Sequence, residues 1–267
     1  MSEAQTIGTL VEDVEEDLNQ LTFGKIMDGV LTLPGGVIDS EGNLHKVVKL
    51  REMTGEEEDI LISNSVKGHE KIDKVLSNCV TQLGDISDRK SIELQVRRMT
   101  VGDRVVLLMA VRSLSLGSEY SFSSQCDNCG AKNDHEVDLL ELDVKEAPDP
   151  KLREQTLTLP SGRKATLAVM TGEGEARIAK ATRGKKRGDV LSLNIMARLV
   201  ELDGAPAGVK TVKKLTTRDR KAIRQWFRAN EGGVDTSLEL SCDSCDSEYE
   251  SVLDAGQPDF FFPKDSE

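Results

Sequence analysis

The sequence repeats itself once, at a spacing of 116 to 117 residues. The segment "REMTGEEEDI" at 51–60 matches "AVMTGEGEAR" at 168–177, and "VRRMTVGDR" at 96–104 matches "VKKLTTRDR" at 212–220. A pair of C-x-x-C motifs recurs at the same spacing. Repetition at a fixed period indicates a repeated structural unit. We therefore predict two copies of one unit, at 28–145 and 152–256, between an acidic amphipathic N-terminal segment at 1–27 and an aromatic tail at 257–267.

Each copy has the pattern of a mixed α+β unit. An opening hairpin is indicated by alternating apolar residues around "LPGG" and "LPSG" turns. Thr54 and Glu57 form a capping box before a helix, a second helix follows, and Thr100 and Thr216 stand where a third would begin. A strand, the C-x-x-C turn and a return strand close the unit. We expect an α+β fold in which duplicated units each end in a cysteine-bearing hairpin.

The two C-x-x-C motifs together are predicted to supply the ligands of one zinc site. A C-x-x-C on a tight hairpin turn presents two thiolates, which is half of a tetrahedral zinc centre. If the two units pack about a pseudo-twofold axis, the hairpins can meet in a zinc-ribbon-like clasp. The predicted ligands of one structural Zn²⁺ are Cys126, Cys129, Cys242 and Cys245.

Two alternatives to zinc remain open from the sequence. The turns could be metal-free relics, since Asp246 follows the second motif where Gly130 follows the first. Redox chemistry needs a thiolate-activating environment such as a helix N-terminus. Here acidic residues flank both motifs and a strand follows each. The fifth cysteine, Cys79, lies in a predicted helix and is interpreted as a core residue.

Composition and charge limit the classes of function. The chain is 37% hydrophobic with a net charge of -12, and it contains no apolar run long enough to span a membrane. Its N-terminus lacks the basic and apolar regions of a secretory signal, so the cytoplasm is the expected compartment. Basic residues concentrate at 176–228, including Lys185, Lys186 and Arg187. We predict that this region makes protein contacts, either between the two copies, between protomers or with another protein. With 3% aromatic residues and a negative net charge, nucleic acid is the less favoured partner.

Both ends of the chain have apolar residues that could pack against another protein surface. An apolar stripe runs along the acidic N-terminal segment at Leu10, Val11, Val14, Leu18 and Leu21. The tail carries Phe260, Phe261 and Phe262. These rings either pack into the protein's own core or bind a groove of a partner. In the second case they are partner-binding residues.

No catalytic constellation is visible, and the motifs are similar to those of one structural family. The "MTGEE" segment, the helix-opening "TVGDR" and the "CDNCG" hairpin followed by "VDLLEL" resemble the baseplate hub assembly chaperone family of T-even-type contractile-tailed bacteriophages. The resemblance covers residues 45–145 well and the second copy more loosely.

This resemblance implies a non-enzymatic structural or assembly protein of the tail baseplate hub. Its expected partners are tail-hub proteins, with tape-measure proteins as further candidates, and it implies no small-molecule substrate. The expected locations are the host cytoplasm during assembly and the virion tail baseplate. The alternative is a zinc-ribbon protein that binds nucleic acid through the basic 176–228 region.

Overall fold

The computed structural model describes residues 21–65, 68–182, 187–256 and 258–262 of the 267-residue chain. The structure combines helices with antiparallel strand pairs, which fits the predicted α+β class. The first half, after a 3₁₀ turn at Ile26–Asp28, contains β1 (Val30–Ile38), β2 (Leu44–Leu50), α1 (Gly55–Ile62), α2 (Gly68–Cys79), β3 (Val80–Leu83), α3 (Arg89–Arg98), α4 (Val101–Leu116), β4 (Glu119–Gln125), β5 (Lys132–Asp138) and β6 (Val144–Lys145).

The second half follows nearly the same order of elements. It contains β7 (Glu154–Thr158), β8 (Lys164–Ala168), α5 (Gly172–Thr182), α6 (Arg187–Arg198), β9 (Leu199–Leu202), β10 (Ala205–Pro206), α7 (Val209–Lys213), α8 (Thr217–Asn230), β11 (Gly233–Val234), β12 (Ser237–Ser241), β13 (Glu248–Val252) and a 3₁₀ turn at Pro258–Phe261. The helices α3 and α7 are additions to the three helices that the sequence predicts for each copy.

The described strands form two antiparallel sheets, two isolated hairpins and one short antiparallel pair between the halves, β6 with β11. The sheet orders are β1-β2-β3 and β10-β9-β8-β7, while β4 pairs with β5 and β12 with β13. The register shifts between Lys49 and Leu50 in the first sheet and between Thr166 and Leu167 in the second. The bulge thus lies at the position that the sequence repeat makes equivalent.

The helix that follows each T-x-x-D motif is capped as the sequence predicts, and its aspartate also holds the opening hairpin. Thr100 and Thr216 accept hydrogen bonds from the backbone N–H groups of Asp103 and Asp219. The buried carboxylates in turn accept from the "LPGG" and "LPSG" turns. The N–H of Gly35 lies 2.7 Å from Asp103 Oδ1, and that of Ser161 lies 3.0 Å from Asp219 Oδ1. The motif therefore fixes the distance between hairpin and helix in each half.

The helices that begin after Thr100 and Thr216, α4 and α8, differ in burial. In α4 every residue from Val106 to Val111 is buried. In α8 only one side is buried, through Ile223, Trp226 and Phe227 together with the capping Asp219. Accordingly α4 lies at the centre of the first core, whereas α8 covers one face of the second sheet and exposes the other side. Cys79 is fully buried in the first core, which confirms its structural interpretation.

The two halves contact each other through helices and backbone. Arg104 of α4 is buried and donates to Asp73 of α2 at 2.7 Å and to Glu175 of α5 at 3.2 Å. Gly102 approaches the chain just before β11 so closely that a Cβ at this position would lie 1.8 Å from the Gly232 carbonyl oxygen. Within the described ranges no helix is long and apolar enough to cross a bilayer.

Candidate metal centre

Each pair of cysteines sits on a tight turn between two strands. In the first cysteine hairpin, β4–β5, the N–H of Gly130 donates to the Cys126 carbonyl at 2.9 Å. In the second, β12–β13, the N–H of Asp246 makes the same 2.9 Å bond to Cys242. Gly130 has φ 76° and Asp246 has φ 54°, so both turns need a left-handed residue at this point. The turns therefore have the same backbone conformation despite their different residues.

The hairpins meet with their cysteines interleaved. The four sulfurs all lie within 4.8 Å of one another. Cys126 Sγ is 3.8 Å from Cys245 Sγ, and Cys129 Sγ is 3.6 Å from Cys242 Sγ. Each first cysteine thus faces the second cysteine of the other motif, which is the reciprocal contact that a local twofold relation produces.

This arrangement fits a tetrahedral zinc ion. Zinc–sulfur bonds of about 2.3 Å in a tetrahedron place the sulfurs about 3.8 Å apart. The two measured sulfur pairs match that edge, and four thiolates are the ligand set of structural zinc sites. The residues present can hold the metal, which would then join the two halves of the chain.

The surroundings of the thiols separate their pKa values. Hydrogen bonds, first from the Ser247 side chain and then from its backbone N–H, lower the pKa of Cys245 to about 6. The backbone N–H of Ala131 acts in the same direction on Cys129. Hydrogen bonds with Cys245 and Cys242 outweigh it and raise the pKa of Cys129 to about 12. Closely spaced thiols cannot ionise independently, and a divalent cation would remove this restriction.

A polar network beside the sulfurs links the hairpins without any metal. The hydroxyl of Tyr249, on the second hairpin, lies 2.6 Å from Ser124 Oγ, 3.2 Å from Asn133 Nδ2 and 2.9 Å from His135 Nε2, all on the first. Asn133 is buried and also accepts from the Asp243 backbone N–H at 3.1 Å. His135 is half-buried in the contact between the hairpins. The single tyrosine among small polar residues is the signal that sequence reasoning missed.

The predicted partner-binding aromatic residues belong to the protein's own core. Phe260 and Phe261 are 1% and 3% exposed, and Phe262 packs against the same cluster. Arg112 donates to the Phe260 carbonyl at 3.1 Å. The first core therefore covers these rings in the folded chain, and their binding to a partner groove stays a prediction.

The predicted basic partner-binding residues fall at the edge of what is described. Lys185 and Lys186 lie outside the described residues. Arg187 begins α6, and its side chain is likewise not described. Most of the acidic N-terminal stripe, residues 1–20, is also outside the described ranges. These predictions stay predictions.

Comparison with known protein families gives one match. The family model described as "T4 bacteriophage base plate protein" matches residues 37–170, half of the chain. The chain belongs to this family. The match confirms the resemblance to T-even-type baseplate proteins at the level of the family. Curated proteins and solved structures gave no match.

The part matched by the base plate family includes the first cysteine hairpin but not the second. Cys126 and Cys129 fall within residues 37–170, whereas Cys242 and Cys245 lie beyond them. The candidate metal centre therefore joins the family-matched part of the chain to a part that the match does not cover.

Proposed function

We propose that this base plate family protein is a structural or assembly component of the baseplate hub of a contractile phage tail. The family match is the observation that carries the proposal. The protein would act through contacts with tail-hub proteins and not through catalysis. Detection of the chain in washed, mature particles would indicate a permanent component. Presence in assembly intermediates alone would indicate a departing chaperone, and absence from both would contradict the role.

The two halves are proposed to be copies of one duplicated unit, at 28–145 and 152–256. Three features support this: the repeated order of elements, the sheet bulge at the equivalent position, and the aspartate that binds each hairpin turn. Arg104 and Arg220 add a fourth, since they donate to the carbonyls of Val96 and Val212 at 2.9 and 3.3 Å. An experimental structure in which the two ranges fail to superpose would contradict the duplication.

One Zn²⁺ ion is proposed to fasten the second unit to the first. The sulfur geometry supports this, and structural zinc contributes roughly 10–16 kcal/mol in isolated zinc-finger peptides. Elemental analysis of the purified protein should find one equivalent of zinc. Cys242→Ser should abolish it, while Cys79→Ser, which changes the cysteine outside the cluster, should retain it. A metal-free protein with reactive thiols would favour the relic or redox alternatives.

Contacts with hub proteins are proposed to involve the basic region that includes Lys185, Lys186 and Arg187. The support is charge segregation: residues 176–228 are strongly basic in a chain of net charge -12. Reversal of these three charges should weaken co-purification with hub proteins from a phage lysate, and more so at low salt. Unchanged co-purification would exclude these residues from the contact.

A further inference from the structure

A ridge of cations runs along the exposed side of α7 and α8. We define this basic ridge as Lys210, Lys214, Arg218, Lys221, Arg224 and Arg228, which are all exposed. From Lys214 onward they follow at steps of three or four residues, so in α8 they share one side of the helix. The buried residues of α8 lie on the opposite side. This surface therefore concentrates positive charge on a helix face that the chain's own core does not use.

Nothing in the described part of the chain neutralises the ridge. None of the ion pairs found among the described residues involves one of its six cations. The one acid within α7 and α8 is Asp219, which is 1% exposed. Its carboxylate accepts from the Ser161 backbone N–H, and its own backbone N–H donates to the Thr216 hydroxyl. Neighbouring like charges on a helix repel one another. An acidic ligand would relieve that repulsion.

The ridge also borders apolar surface. Arg224 and Arg228 line a groove of about 1840 Å³ together with Leu191, Ile195 and Phe227. Leu191 is 61% exposed. The lining of the groove also contains acids, among them Glu231, Glu239 and Glu250, so we expect an acidic ligand to lie beside its arginines and not across the whole groove. A ligand that is acidic and also carries an apolar stripe fits this surface best.

Such a segment exists in the same chain. Residues 1–20 contain six acids (Glu3, Glu12, Asp13, Glu15, Glu16 and Asp17) and no lysine or arginine. The apolar Leu10, Val11, Val14 and Leu18 follow helical spacing. We propose that the basic ridge binds this acidic N-terminal segment. The inference does not depend on the baseplate role.

The tether permits the contact. The segment leads into Phe23, which is 5% exposed in the first core. Twenty residues can span up to about 66–72 Å, whereas a folded chain of this length has a radius of gyration of only about 18 Å. The segment can therefore reach any face of its own molecule, and attachment to the same chain raises its effective concentration.

Nucleic acid is the less favoured ligand of the ridge. The protein is negative overall, and the two aromatic residues of α8 are turned inward: Trp226 and Phe227 are 9% and 8% exposed. The Trp226 indole N–H donates to Gln155 at 2.6 Å. Base stacking on this helix is thus blocked, although contact with phosphates is not.

Zero-length carbodiimide cross-linking of the full-length protein, read by mass spectrometry, tests the proposal. Carboxylates at Glu12–Asp17 should couple to Lys210, Lys214 and Lys221, and not above background to exposed Lys90 on α3. The coupling should fall in about 1 M salt, where the Debye length is about 3 Å. A mixture of light and heavy isotope-labelled protein separates coupling within a chain from coupling between chains, and either form supports the proposal.

Charge reversal supplies the matched control. R218E/R224E leaves the ridge lysines in place and should reduce their coupling to the level of Lys90, whereas R98E/K132E, the same charge change elsewhere, should not. Three results would overturn the proposal. The first is coupling of the ridge lysines to the N-terminal carboxylates that is no greater than that of Lys90. The second is coupling of the ridge lysines to hairpin carboxylates such as Glu136 or Glu248. The third is retention of random duplex DNA that the ridge reversal abolishes, while coupling to the N-terminal segment stays at background.

Discussion

The two cysteine turns reach the same left-handed backbone conformation with different residues. Gly130 adopts φ 76° without steric penalty, whereas Asp246 adopts φ 54° against the preference of a residue with a Cβ. We predict that Asp246→Gly is tolerated and stabilises the second hairpin by up to about 1 kcal/mol, because it removes this strain. Chemical denaturation measures the change. Gly130→Ala should destabilise by a similar amount, and equal stability of all three proteins would contradict the strain.

Glu57 makes the stability of the first half depend on pH. It is fully buried at the capping box, where its carboxylate binds Arg51 at 2.9 and 3.0 Å and Asn78 at 2.8 Å. Burial alone would raise its pKa. The hydrogen bonds from Arg51, Thr54 and Asn78 outweigh burial and lower the pKa to about 2. A carboxylate with a depressed pKa stabilises the fold above its unfolded pKa of about 4.3 and loses that effect as pH falls towards 2.

The variant Glu57→Gln should therefore remove a pH-dependent part of the free energy of unfolding. The linkage corresponds to about 3 kcal/mol, present at neutral pH and lost between about pH 5 and pH 2. Denaturation of wild type and variant across that range should give stability differences that shrink as pH falls. Glu58→Gln, one residue further on the exposed side of α1, is the control and should show little of this dependence.

At the scale of the element, the hairpin–helix contact through a buried aspartate is the feature that both halves share. Asp103→Ala would leave the Gly35 N–H without its acceptor, and Asp219→Ala would do the same to the N–H of Ser161. We expect each substitution to destabilise by about 1–3 kcal/mol. Exposed Asp88, which caps α3 with a similar local bond, is the control. Its removal should cost about 1 kcal/mol, as for an ordinary N-cap.

The sequence predicted this element only in part. Apolar alternation and the T-x-x-D signal located the hairpins and the helix starts, because both depend on local spacing. The contact between the helix aspartate and the hairpin turn could not be predicted, because Asp103 and Gly35 are 68 positions apart in the sequence. The cysteine cluster was predictable because the repeat supplied two half-sites. The Tyr249 network was not, because it depends on which faces of the hairpins meet.

At the scale of the whole molecule, the first and the last described segments of the chain both pack into the first core. Phe260 packs 5.0 Å from Tyr120 between ring centroids, and the Arg112 guanidinium lies 5.7 Å from its ring. We predict that Phe260→Ala lowers the free energy of unfolding by about 3–5 kcal/mol. Thermal or chemical denaturation measures this, with half-buried Phe262→Ala as the milder control. A full-stability Phe260→Ala protein would show that the tail does not support the core.

The return of the tail to the first core has a consequence for synthesis. Phe23 and Ile26 enter that core at one end of the sequence, and Leu253, Ala255 and Phe260 enter it at the other. Domains that are continuous in sequence can fold as they emerge from the ribosome, the N-terminal one first. Here the first half lacks part of its interior until Leu253, Ala255 and Phe260 have been synthesised. The nascent first half must therefore wait, with apolar surface exposed, until the second half has been made.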